Sequence, residues 1–255
     1  MLLAVSCGGS DSCLNNMTFV DLRQVPVTEK TSQHIELEYL SSPNICVVDT
    51  LLVGYNVKPI DNGFFSVYDL ERQERLGSFC PQGRGIREVI AFMLLRQIDR
   101  NQAGELVADL YAYNNNSLLT WNITKSLAAN KTVYDKIVPV DWKQCYNSVC
   151  RYNFRVNDDL KILHVPTSMS ETNRFSPMHY SLYSIAENRE LKSIRILEKP
   201  LISKTPHYST EMLSYTEDCL KPDKTKVAFG MTYAPVFGIV DIVSGAVDVF
   251  SLDRS

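Results

Sequence analysis

Four segments of the chain share one pattern: FSVYDL (65–70), LLTWNI (118–123), YSLYSI (180–185) and FGIVDI (237–242), each running in strand fashion to a polar or small residue, Asp69, Asn122, Ser184 or Asp241. Their starting positions put them 53, 62 and 57 residues apart. Each follows a β-rich run: CVVDTLLVGY from Cys46, GELVADLYAY from Gly104, DLKILHVPT from Asp159 and TKVAFGMTY from Thr225. Each leads through a polar turn to another, RLGSF (75–79), TVYDKIV (132–138), LKSIRIL (191–197) or AVDVFSL (246–252). A fourth run precedes each trio: HIELEYL (34–40), EVIAFMLL (88–95), VCRYNFRV (149–156) and STEMLSY (209–215). EVIAFMLL also fits a short helix by its apolar spacing. A four-stranded unit cannot bury both of its faces alone, and stacking against neighbouring units covers them. Recurrence at this interval fits the blades of a β-propeller better than a sandwich.

The reading is therefore all-β: a propeller domain over 18–255, with four-stranded antiparallel blades at about 34–80, 87–138, 149–197 and 209–252. Thirteen Tyr, ten Phe and 45% apolar residues suit strands around a sizeable core. Basic and acidic residues number 26 and 29 and are mixed along the chain, with no basic block of the kind that tracks phosphates, so nucleic acid is excluded as the expected partner. No apolar stretch approaches the roughly 18 residues of a membrane span.

The start, MLLAVSCGGSDS, resembles the end of a bacterial lipoprotein signal, with Ser6 at the small position before Cys7 and GGSDS as a tether. The resemblance implies lipidation of Cys7, residues 1–17 as signal remnant and tether, and an outer-membrane address in the cell envelope, with the membrane reached through the lipid only. Six cysteines remain, and only Cys145 and Cys150 in QCYNSVC are close enough in sequence for a loop disulfide. Cys46 and Cys80 lie in apolar strand contexts that suit buried thiols.

RLGSFCPQGRGIREV (75–89) resembles the outer-strand corner of TolB-like, six-bladed propeller lipoproteins of Bacteroidetes, through Gly83, Gly85 and Glu88. KPDKTKVAFG (221–230) resembles a hairpin of the same proteins through Pro222, Asp223, Val227, Ala228 and Phe229, with Lys224 standing where the family carries a turn glycine. The resemblance implies fold and address more than activity. It also implies a ring of six or more blades, of which this chain holds an incomplete arc. On that view TFVDLRQVPV (18–27) is a closing strand, and blades one and four share few contacts.

The four histidines, His34, His164, His179 and His207, fall in separate units without ligand spacing, so neither metal nor cofactor is expected. Asp158 and Asp159 follow Asn157 between two strands, where turn chemistry is the expectation. Propellers place ligands on loops at one mouth of the channel. The candidate ligand-binding residues on such loops are Arg84, Arg87, Trp142, Arg174, Tyr208 and Tyr233. The expected function is a non-enzymatic propeller binding a partner protein, peptide or glycan. Alternatives are a channel-mouth lyase or glycosidase, marked by two carboxylates or a His–carboxylate pair with shifted pKa values, and a scaffold without ligand.

Overall fold

The structure is a computed structural model, and it describes residues 17–28, 31, 35–37, 44–89, 95–112, 117–139, 152–165, 168–169, 175–176, 178–196 and 216–252. Four sheets of meandering antiparallel strands form the blades of a β-propeller. Blade 1 is β2 (Ile45–Val48), β3 (Leu51–Ile60), β4 (Gly63–Asp69) and β5 (Glu74–Pro81). Blade 2 is β6 (Asp99–Arg100), β7 (Leu106–Ala112), β8 (Ser117–Asn122) and β9 (Tyr134–Pro139). Blade 3 is β10 (Tyr152–Arg155), β11 (Leu160–Val165), β14 (His179–Ser184) and β15 (Arg189–Arg195), with a small hairpin of β12 (Ser168–Met169) and β13 (Phe175–Ser176) in its middle loop. Blade 4 is β16 (Thr216–Leu220), β17 (Lys226–Met231), β18 (Val236–Asp241) and β19 (Val247–Leu252).

The second, third and outer strands fall where the repeat puts them, as does the innermost strand of blade 3, β10 within VCRYNFRV; the innermost strands of the other three blades differ. CVVDTLLVGY is two strands, β2 and β3, divided at Asp49, which turns the chain with φ 52°. HIELEYL is therefore not the first strand of blade 1: residues 35–37 are not in a strand, and the rest of that run lies outside the described residues. In place of EVIAFMLL, the innermost strand of blade 2 is the two-residue β6; Val89 makes one isolated bridge to Gln82, and 90–94 are outside the described residues. STEMLSY is likewise outside them, and blade 4 begins at Thr216. Of these strands β6 and β16 are short and polar, so hydrophobic alternation does not mark them.

One expected turn is a helix. TKSLAAN belongs to α1 (Ile123–Ala129), whose N-cap Asn122 accepts from the Lys125 N–H and whose end at Asn130 is left-handed, the two signals that open and close a short helix.

The start of TFVDLRQVPV forms β1 (Met17–Val20), which pairs in parallel with β19, Thr18 opposite Phe250 and Val20 opposite Leu252. It makes blade 4 a five-stranded sheet instead of supplying the outer strand of another blade.

Apolar packing joins successive blades. Phe65 and Val67 of blade 1 meet Leu110, Leu119 and Trp121 of blade 2. Leu118 of blade 2 meets Leu163 and Tyr183 of blade 3. Phe154, Ile162 and Tyr180 of blade 3 meet Val227, Phe229 and Val240 of blade 4. Among the described residues no buried apolar cluster joins blade 4 to blade 1.

Candidate functional site

The glycine corner after β5 is a closed structure. The Glu88 carboxylate accepts from the Gly85 N–H at 2.8 Å, and the Gly83 N–H is taken by the Val89 carbonyl at 3.0 Å. A Cβ on Gly83 would fall 2.0 Å from Glu88 Oε2. Gly83, Gly85 and Glu88, the residues that carry the resemblance of this corner, are thus the ones that stitch it shut. The carboxylate sits where an anion would have to be cradled. What the corner presents outward is Arg84, Ile86 and Arg87, all exposed.

Arg87 lines a cavity of about 340 Å³ at the outer junction of blades 1 and 2. One wall is the turn between β3 and β4. Asp61 and Asn62, at φ 46° and 64°, make a two-residue turn of the hairpin type that demands left-handed backbone, which Asp and Asn tolerate better than other side chains. Gly63 follows because a Cβ there would lie 2.5 Å from the Phe79 nitrogen. The Asn62 carbonyl accepts from the Gln82 N–H at 3.0 Å, tying turn to corner. Ser78, Phe79 and Pro81 of β5 form the floor, and Thr132 and Tyr134 of blade 2 close the far side. Thr132 Oγ1 accepts from the Cys80 N–H at 2.8 Å, across the seam.

The charges there are unevenly matched. Asp61 is held by Arg75 at 2.8 Å. Arg87 makes no ion pair, and the Asn62 carboxamide no hydrogen bond, among the described residues. Burial, with the Cys80 thiol alongside, raises the Tyr134 phenol far above its usual pKa, so the hydroxyl stays protonated. Its oxygen is buried without a hydrogen-bond partner among the described residues.

Of the other sequence candidates, Arg84 stands exposed on the same corner, and Tyr233 is partly buried against the apolar core of blades 3 and 4. Trp142, Arg174 and Tyr208 lie outside the described residues, as do Cys7, Cys145 and Cys150. Cys80 is fully buried and Cys46 half-buried, both thiols with pKa raised by burial, that of Cys46 to about 11.

Two buried polar groups, legible in no motif, lie at the inner ends of the blade seams. Between blades 2 and 3, Asp109 of β7 accepts from Thr120 at 2.8 Å and Arg155 at 3.1 Å and from the Lys161 ammonium, while Arg155 also pairs with Asp158. Lys161 and Asp109 are 1% and 3% exposed, and burial lowers the Lys161 pKa against the pull of Asp109. Asp158 and Asp159 thus have separate tasks: the Asp159 carboxylate accepts from Ser184 and from the Ala186 N–H, and Asn157 accepts from the Asp159 and Leu160 N–H groups, the turn chemistry expected of this triplet.

Between blades 3 and 4, His164 Nδ1 lies 3.3 Å from Asp218, which also accepts from the Tyr180 hydroxyl at 2.8 Å. Both side chains are fully buried, and burial pushes the Asp218 pKa up to about 6. A His–carboxylate pair with a shifted pKa is therefore present, sealed between the strands of blades 3 and 4.

Near the axis, blade 4 reaches blade 2. Arg96 pairs with Glu217 at 3.0 Å, and Lys224 pairs with Asp99 and donates to the Val156 carbonyl at 3.1 Å. Lys224, the residue in place of a turn glycine, does have the left-handed backbone of that position, φ 62°. Backbone strain at such a position costs on the order of 1 kcal/mol, and here the side chain ties three blades together.

No known family matches the chain, and no curated protein matches it. Among solved structures, a presumed exported protein of Bacteroides fragilis NCTC 9343 aligns at TM-score 0.42 and 10% identity over 88% of this chain and 74% of that one. The WD40 domain of Toxoplasma gondii coronin aligns at 0.40 and 10% over 81% of this chain and 43% of that one. Hsv2 of Kluyvelomyces marxianus aligns at 0.34 and 6% over 82% and 57%. The chain thus spans less than two thirds of the latter two. The fold class rests on the strand order and register of this structure itself.

Proposed function

We propose that this chain is a non-enzymatic binding propeller of the bacterial cell envelope, held to the outer membrane by lipid on Cys7, which takes a partner peptide, protein or glycan on a loop-lined surface. The observation that carries the binding reading is the cavity at the junction of blades 1 and 2, where a tight turn, a stitched corner and two outer strands hold Arg87 and several polar side chains on a rigid frame. Its volume of about 340 Å³ is in the range of small-molecule and recognition pockets, about 300–1,000 Å³. A hydrolase or lyase needs acid–base groups that substrate can touch. The His164–Asp218 pair has the right chemistry, but both side chains are fully buried.

The envelope address rests on the sequence MLLAVSCGGSDS. Among the described residues no helix is long and apolar enough to cross a membrane.

Printed glycan and peptide arrays probed with the wild type and with Arg87→Glu test the binding reading. Ligands bound by the wild type and lost on charge reversal support it; identical patterns, or no bound ligand, overturn it. Cys7→Ala should release the protein from the membrane fraction of its native host, and unchanged fractionation would remove the lipid anchor.

A further inference from the structure

We infer that the cavity between blades 1 and 2 is a site for a carboxylate-bearing sugar, with Arg87 as the anchor of the carboxylate; this inference rests on the binding reading above. Its lining supplies donors in excess. Arg87 carries up to five N–H groups and makes no ion pair among the described residues. The Asn62 carboxamide makes no hydrogen bond among the described residues. Tyr134 offers only its ring to the wall, because its hydroxyl oxygen is buried beside the Cys80 thiol and out of a ligand's reach. Thr132 uses a lone pair on the Cys80 N–H and keeps its hydroxyl hydrogen to donate.

Asp61 is the one carboxylate among the lining residues, and Arg75 neutralises it at 2.8 Å. One uncompensated cation among neutral donors fits an anionic ligand rich in acceptor oxygens. A guanidinium binds a carboxylate with two parallel hydrogen bonds, and the amide and hydroxyl groups around it match ring and hydroxyl oxygens.

The backbone decides between a sugar and a peptide. An extended peptide is most simply held by adding a strand to a free sheet edge. Beside the cavity the edge of β5 is closed: the Cys80 N–H is bonded to Thr132, and Pro81 has no N–H. A peptide main chain finds no ladder there, whereas a sugar needs only side-chain groups.

Titration calorimetry with methyl β-glucuronide, methyl β-glucoside and an N-acetylated glutamate amide as the peptide-like acid is the test. The wild type should bind the glucuronide about tenfold or more tightly than the glucoside, the effect of one charge-assisted pair. Arg87→Gln should bring the glucuronide down to the level of the glucoside. Asn62→Gly, which suits the left-handed backbone of the turn, should weaken the glucuronide a few-fold with the circular dichroism spectrum unchanged.

Equal affinity for acid and neutral sugar, wild-type affinity in Arg87→Gln, tighter binding of the glutamate amide, or no binding of any probe would each overturn the inference. If these fail while the arrays show ligands that depend on Arg87, the sugar class falls and the binding reading stands. If the arrays also show no dependence on Arg87, both fall.

Discussion

The seam between blades 1 and 2 and the seam between blades 2 and 3 join the same kind of sheet by opposite means. In the first, Trp121 stacks on Phe65 at 5.6 Å and lies 5.9 Å from Phe79, and its one polar atom is satisfied by Ser126 at 3.0 Å. Burial of aromatic area drives that contact, and it is non-directional. In the second, the apolar cluster is small, and two acidic and two basic side chains, Asp109, Asp158, Arg155 and Lys161, share the interface. Gln97 adds a hydrogen bond on each side of the Arg155 backbone, accepting at 2.7 Å and donating at 3.2 Å. Attraction between buried ions is largely cancelled by their desolvation, so such a seam contributes little net stability. Its directional bonds favour one angle between the blades.

The largest effects are expected at the two centres, and rescue tells them apart. Trp121→Ala should cost about 3–5 kcal/mol through lost burial and the cavity left behind. Asp109→Ala should cost about 3–5 kcal/mol because two buried cations lose their counter-ion. A joint replacement of Asp109, Arg155 and Lys161 by Leu, Met and Met should recover most of the second loss. Urea unfolding of the set measures this, and a triple variant as unstable as Asp109→Ala would mean the ions hold the seam energetically after all.

The third seam sharpens the contrast through pH. Asp218 has a folded pKa raised to about 6, so the native state keeps a proton that the unfolded chain has released. Stability contributed by this group is therefore greatest in acid and falls as the pH rises from about 4 through 6. Asp218→Asn should flatten stability over that interval and leave the ion cluster of the second seam untouched. A variant with the wild-type slope would show that Asp218 is ionised throughout.

The smallest effect is expected at Lys224. Alanine there keeps the left-handed strain and loses the ties to Asp99 and Val156, while glycine relieves the strain. Lys224→Ala should therefore be the less stable of the two by about 1 kcal/mol. Equal midpoints in urea would separate the turn conformation from the energetics.

The outer three strands of each blade were readable because they carry enough apolar residues to show their pattern, as in FFSVYDL or LLTWN. Two of the innermost ones were not: Asp99–Arg100 is two charged residues long, and Thr216–Leu220 reads TEDCL. Of the candidate site, Arg87 was recognisable as an exposed arginine on a glycine corner. Its partners Asn62, Thr132 and Tyr134 were not, because they come from a turn and from the next blade, up to 47 residues away by the difference of positions 134 and 87.

By itself the sequence determined the repeat, the all-β class, the polar turns and the corner glycines, since each depends on contacts or backbone preferences within a few residues. Even the oddity of Lys224 at a turn-glycine position was visible there. Only the tertiary structure decided what these elements do to one another. His164 and Asp218 meet across 54 residues of chain and Asp109 and Lys161 across 52, counted from their positions. Whether a polar side chain in an alternating strand becomes a surface group or half of a buried pair is set by the face of the neighbouring blade. Strand periodicity records which side of its own sheet a residue occupies, and carries no information about what the next sheet brings against it.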